Sequence, residues 1–156
     1  MKQLVFIATL FCISLNAFSQ ADVTALRQAQ FNLPKNKVAV EGYDVVAYFT
    51  EGKPKKGKPE FAVYVQGVTY YFSSNSNKEL FKKNPSQYEP QYGGWCAYAM
   101  GNDGSKVEVD PETFKILNGK LYLFYNKFFT NTLKSWNKDE ARLMKSADAN
   151  WMKFYH

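Results

Sequence analysis

The segment KILNGKLYLFY, Lys115 to Tyr125, does most to narrow the folds open to this chain. Asn118-Gly119 suits a type I′ turn because both residues tolerate positive φ, and the flanking arms carry Ile116, Leu117, Leu121, Leu123 and Phe124. FAVYVQGVTYYF, Phe61 to Phe72, has the same build, with β-branched and aromatic arms around Gln66-Gly67. Helix signals lie around these two hairpins. Asp44 in EGYDVVAYF can cap a short helix starting at Val45, which sends Val46, Tyr48 and Phe49 to the core. Ser76 stands three residues before Glu79, the spacing of a capping box ahead of Leu80 and Phe81, and Asn84-Pro85 closes that helix and opens another turn. In the tail Asn137 and Glu140 repeat the capping-box spacing, and Leu143, Met144, Ala147 and Trp151 recur at helical intervals. The expected class is therefore α+β: a small antiparallel sheet of two hairpins, with short helices and a C-terminal helix packed on it. Aromatic residues make up 17% of the chain, so Tyr, Phe and Trp are expected to fill much of the core. No internal repeat is read from the sequence.

The first residues have a different character. MKQLVFIATLFCISLNAFSQ opens on Lys2, runs apolar from Leu4 to Leu15, and leaves through the small residues Ala17 and Ser19. That layout is a secretory signal cleaved after Ser19. As a membrane anchor the run is short of the roughly 20 residues a spanning helix needs. Lipid attachment at Cys12 is disfavoured by bulky Phe11 before it. The expected organisation is a signal peptide over 1–19, a flexible leader or short helix over 20–36, and one ordered domain over 37–156, in a periplasmic or secreted protein. Cleavage removes Cys12 and Lys2, which leaves Cys96 as the single cysteine and lowers the formal charge of +6 by one. One cysteine forms no internal disulfide, even in an oxidising compartment. Lysines 53, 55, 56 and 58 alternate with Pro and Gly in a loop that reads as solvated. Export argues against nucleic acid as a partner, and no later segment is long and apolar enough to span a membrane.

Candidate chemistry concentrates in YGGWCAYAM, Tyr92 to Met100. Gly93 and Gly94 let the backbone turn sharply or approach a ligand closely. If Trp95 to Met100 forms a helical turn ended by Gly101, Cys96 lies in its first turn with Met100 on the same face. A thiol at the positive end of a helix is favoured as thiolate, and Cys with Met is a soft donor pair of the type that selects Cu(I). Packing explains the same residues equally: free Cys is among the most buried residue types, and Met fills core gaps. A nucleophilic role is the poorest fit, because the only histidine is the terminal His156. The acidic pairs Asp139-Glu140 and Glu108 with Asp110 read as a helix start and a strand edge, and GNDGSK lacks the ligand count of a calcium loop. A metal-free alternative is a small-ligand pocket lined by Tyr43, Asp44, Tyr92, Gly93, Gly94 and Trp95.

GYDVVAYF, GVTYYFSSNSNKELFKKNPSQYEPQYGGWCAYAM, VDPETFKILNGKLYLFYN and ADANW, taken in order, resemble the secreted branch of the YHS domain family over about 36–151. Val45 stands where relatives often have proline. The resemblance implies metal handling, since domains of this kind accompany copper and heavy-metal transport and some oxygenases. In the metal-binding branch the segment after the first hairpin carries two presumed ligand cysteines. Here Ser73 and Asn77 occupy those places, and a hydroxyl and an amide are poor substitutes for anionic sulfur, so an inherited two-cysteine site is excluded. The function expected is a non-enzymatic exported module that binds copper through Cys96 and Met100. The alternative is a metal-free domain for a small ligand or a protein.

Overall fold

The computed structural model describes residues 19–34 and 36–155, so the signal peptide expected over 1–19, Ser19 excepted, lies outside the described residues, as do Cys12 within it and His156. The chain is mixed α+β. In order it forms α1 (Gln20–Gln30), α2 (Ala47–Thr50), β1 (Lys58–Val65), β2 (Val68–Phe72), α3 (Asn75–Lys83), α4 (Pro85–Tyr88) and α5 (Ala97–Asn102). Then come β3 (Asp110–Leu117), β4 (Lys120–Phe124), β5 (Asn126–Lys127), β6 (Thr130–Asn131), α6 (Thr132–Trp136) and α7 (Glu140–Met152). The strands pair as separate antiparallel hairpins, β1 with β2, β3 with β4 and β5 with β6. The first two are those the sequence predicts. Their turns lie at Gln66-Gly67 and Asn118-Gly119, with positive φ at all four residues.

An internal repeat organises the fold, contrary to the sequence reading. Its offset is 52 residues, the separation of Gly42 from Gly94. Val40, Glu41 and Gly42 have left-handed φ, and so do Tyr92, Gly93 and Gly94. Val38 bridges Thr69 in parallel, as Pro90 bridges Leu121. The Asp44 N–H donates to Lys55 O at 2.8 Å, and the Cys96 N–H donates to Val107 O at 2.9 Å. The register of β1 on β2 shifts between Lys58 and Ala62, and that of β3 on β4 between Asp110 and Phe114. Every one of these pairs obeys the same offset.

Each half builds its own core from equivalent positions. Val40, Val45, Tyr48, Tyr70 and Phe72 gather in one cluster, and Tyr92, Ala97, Met100, Tyr122 and Phe124 in the other. Phe81 from α3 packs into the first and Trp136 from α6 into the second. The inner-face residues Leu121 and Leu123 of β4 reach back into the first cluster and join the halves. Leu143 and Ala147 of α7 complete the second.

Several local details differ from expectation. The cap of α3 is Ser74, not Ser76, because Ser74 has the extended backbone a cap requires and its side chain accepts from the Asn77 N–H. No capping box opens α7; its cap position is Asp139, and the Glu140 carboxylate is held instead by Lys115 and by the Trp136 indole N–H. Gly101 does not end α5 but sits within it, where an added Cβ would come under 3.0 Å from the Leu143 carbonyl oxygen. The glycine lets α5 and α7 touch. The leader over 20–30 is a helix, opened by a Ser19–Asp22 capping box and tied down by the Arg27–Glu89 ion pair and by Gln28 Nε2 donating to Gly67 O at 3.1 Å.

Candidate functional site

The three left-handed residues of the Gly-Gly turn deliver Cys96 to the cap position of α5, with both its neighbourhood and its side chain enclosed. Cys96 and Met100 are each 0% exposed. The Cys96 Sγ accepts from the Tyr125 N–H at 3.4 Å and lies 3.4 Å from Thr132 Oγ1. The Thr132 hydroxyl proton is committed to Tyr125 O at 2.9 Å, which leaves the S–H as the donor to Thr132. Sulfur, hydroxyl and peptide close a small ring of hydrogen bonds. The Met100 N–H donates to Cys96 O, so the two residues are one turn apart. Their side chains nevertheless pack in different clusters, Met100 standing where the first half has Tyr48. The soft-metal reading needs sulfur turned outward, whereas this thiol is a hydrogen-bonded core group. Among the described residues no three His, Cys, Asp or Glu side chains gather as a metal-holding group.

The repeat equivalent of Cys96 is Asp44, and it too is 0% exposed. Its Oδ1 accepts from the N–H groups of Val46 at 2.9 Å and Ala47 at 3.2 Å, as expected of Asp44, but the helix starts at Ala47 with Val46 at its cap position and not at Val45. Its Oδ2 accepts from the Ser73 N–H and Oγ, both at 2.7 Å, and from Asn77 Nδ2 at 2.8 Å. The Ser73 N–H to Asp44 and the Tyr125 N–H to Cys96 are the same bond in the two halves. Ser73 and Asn77 thus spend their donors on a buried carboxylate. A buried charge persists only when its lone pairs are matched in this way.

The six residues expected to share a pocket are divided. Tyr92 and Gly93 line a cleft of about 330 Å³ with Phe31, Glu89, Asp148 and Trp151. Trp95 lines a second, of about 450 Å³, with Leu33, Pro34, Glu41 and Glu108. Gly94, Asp44 and Tyr43 line neither of these two: Asp44 is enclosed, and the Tyr43 hydroxyl donates to Glu112 Oε1 at 3.0 Å with Lys56 Nζ 3.9 Å from its ring. The Gly94 carbonyl accepts from Asn32 Nδ2 at 3.2 Å, and the Trp95 indole N–H donates to Gln30 O at 2.7 Å, so the leader separates the two clefts.

At the first cleft the backbone of Gly93 is pressed between two rings. A Cβ there would lie 2.8 Å from Phe31 and 2.9 Å from Trp151. The Tyr92 hydroxyl donates to Asp148 Oδ1 at 2.9 Å, and burial, then the Asp148 charge, pushes the phenol well up, so it stays a donor. Glu89 opposite is shared by Arg27 and by the Tyr70 hydroxyl at 2.8 Å. Phe31 and Asp148 carried no sequence signal for this site, and Trp151 read only as helix core. The remaining acidic candidates are structural. Asp103 accepts from the Ser105 N–H at 2.9 Å and Ser105 holds its carboxyl below the usual range, while Asp110 accepts from the Glu112 N–H and the Thr113 hydroxyl, both at 3.0 Å. Compared with protein-family models, curated proteins and solved structures, the chain matches none of them.

Proposed function

We propose that the chain is an exported, non-catalytic binding module resembling YHS domains, and that its ligand site is the cleft at Tyr92 and Gly93. The observation that supports this reading is the meeting there of the Gly-Gly turn with Phe31 from the leader and Trp151 and Asp148 from α7. A concave, aromatic-walled space with a few fixed polar groups suits a small ligand with an apolar body and a polar head. Its volume of about 330 Å³ limits that ligand to a small one.

The test is amide chemical-shift mapping of labelled protein against tryptamine and indole-3-acetate, which offer one ring with opposite charges. Saturable shifts at Tyr92, Gly93 and Trp151 that vanish in Trp151→Ala are expected. Shifts clustered elsewhere, or none at either probe, would refute the site. The competing reading, copper handling at Cys96 and Met100, requires the core to open around the thiol. Stoichiometric Cu(I) uptake under reducing conditions that is lost in Cys96→Ser would replace the first reading with the second.

A further inference from the structure

The β5–β6 hairpin ends in two residues, Phe128 and Phe129, whose side chains stand in solvent at 87% and 112% relative exposure. Both have left-handed backbone, φ 49° and 66°. A two-residue hairpin turn of this kind favours Asn-Gly, the pair this chain uses at its own Asn118-Gly119 turn. Bulky aromatic residues at positive φ are strained, and two exposed rings add nothing to the core, so folding does not account for them.

The repeat sharpens the point. In the first half Phe72 passes to α3 through Ser73 and Ser74 alone. In the second half the chain from Phe124 to α6 detours through β5 and β6 before Asn131, the cap of α6, accepts from the Leu133 N–H. The finger is an addition to a unit that is complete without it in the other copy.

We propose that Phe128 and Phe129 form a membrane-docking finger that enters the surface of an anionic lipid bilayer. Charge argues for this occupant. The chain carries 20 Lys and Arg against 14 Asp and Glu. Lys127 adjoins the tip, and Lys134 and Lys138 are exposed on and after the helix that follows it. Three acids stand against these: Glu108 lies 3.9 Å from Lys127, Asp110 accepts from Asn126 Nδ2 at 3.3 Å, and Asp139 is paired with Arg142, which leaves Lys127, Lys134, Lys138 and Arg142 in excess by one. Shape argues likewise. Two residue pairs of hairpin lift the tip about 7 Å at the usual rise per residue, which matches the shallow depth at which peripheral elements sit in the interface. Acyl chains accept two adjacent rings without a preformed pocket, and lysines gain from anionic headgroups at the same depth. No described helix is long and apolar enough to cross a membrane, so the attachment is peripheral.

The experiment is vesicle flotation with phosphatidylcholine alone and with phosphatidylglycerol added, using the wild type and Phe128→Asn/Phe129→Gly. This variant installs the residues the turn prefers. It is expected to melt a few degrees higher while its binding to the anionic vesicles falls about tenfold or more. The wild type is expected to float with the anionic vesicles, weakly with neutral ones, and less at high salt. Failure of the wild type to float with anionic vesicles overturns the proposal. Equal flotation of the variant overturns it as well, because lysines alone would then explain binding. If light scattering finds a wild-type dimer that the variant loses, with neither protein floating, the occupant is a second copy and the membrane is excluded. The variant leaves Tyr92, Gly93 and Trp151 untouched, so this test and that of the ligand cleft succeed or fail separately.

Discussion

Asp44→Ala removes the acceptor around which the first half closes. In the native protein the carboxylate takes five hydrogen bonds at zero exposure. Some donors keep another partner after truncation. The Ala47 N–H still reaches the Asp44 carbonyl at 3.1 Å, and Asn77 Nδ2 lies 3.5 Å from Ser73 Oγ. The N–H groups of Val46 and Ser73 lose the carboxylate, and bonds to a charged acceptor are the stronger kind. Orphaning the buried Val46 N–H and the half-buried Ser73 N–H at about 1–3 kcal/mol each, with the weakened Asn77 contact, gives a loss of about 3–5 kcal/mol. That is a large part of the stability of a domain this size. The assay is urea unfolding followed by circular dichroism, where the midpoint is expected to fall by about 2 M at an m-value near 2 kcal/mol/M. Asp44→Asn is the shape-preserving partner experiment. Its amide places a donor against either the Val46 and Ala47 N–H groups or the Ser73 and Asn77 donors, so it too is expected to destabilise by about 2 kcal/mol or more. A loss under about 1 kcal/mol in both variants would refute this role for Asp44, since water would then be satisfying the Val46 and Ser73 N–H groups.

Three further outcomes are expected. Lys115 first, with help from Trp136, holds the Glu140 carboxyl below its usual range, so its contribution is present above about pH 4.5 and is lost as pH falls through the lower folded value; the melting-temperature gap between wild type and Glu140→Gln should be widest at neutral pH and close in acid, and a gap that widens in acid would contradict this. Gly101→Ala drives a methyl into the Leu143 carbonyl and should cost about 2–3 kcal/mol in chemical unfolding, with a neutral result showing that α5 and α7 slide apart freely. The Cys96 thiol should resist alkylation in the native state and react only as the protein unfolds, while Cys96→Ala should cost about 1–2 kcal/mol by orphaning the Tyr125 N–H; rapid native labelling would show that the sulfur is presented after all.

The two main hairpins were readable because Asn118-Gly119 and Gln66-Gly67 sit between apolar arms, a local pattern with a local cause. Proline at the start of α4 and the helical spacing of Leu143 and Ala147 were readable for the same reason. The caps of α3 and α7 were misassigned where several polar residues compete within one turn, since only backbone geometry selects among them. The β5–β6 finger gave no signal at all, because Phe-Phe contradicts every turn preference.

What the sequence by itself determined is therefore the α+β class, the two hairpins and the helical tail, each set by chemistry within a dozen residues. Tertiary structure alone decided the rest. The repeat is conserved as backbone conformation, with Val40 and Glu41 left-handed where Tyr92 and Gly93 are, and side chains at equivalent places differ as widely as Asp44 and Cys96. Whether Cys96 is a ligand or a core group depends on Tyr125 and Thr132, distant in the chain, and the first cleft depends on Phe31 and Trp151 from opposite ends. Burial and pocket formation arise from contacts between remote segments, and no residue's neighbours in sequence specify them.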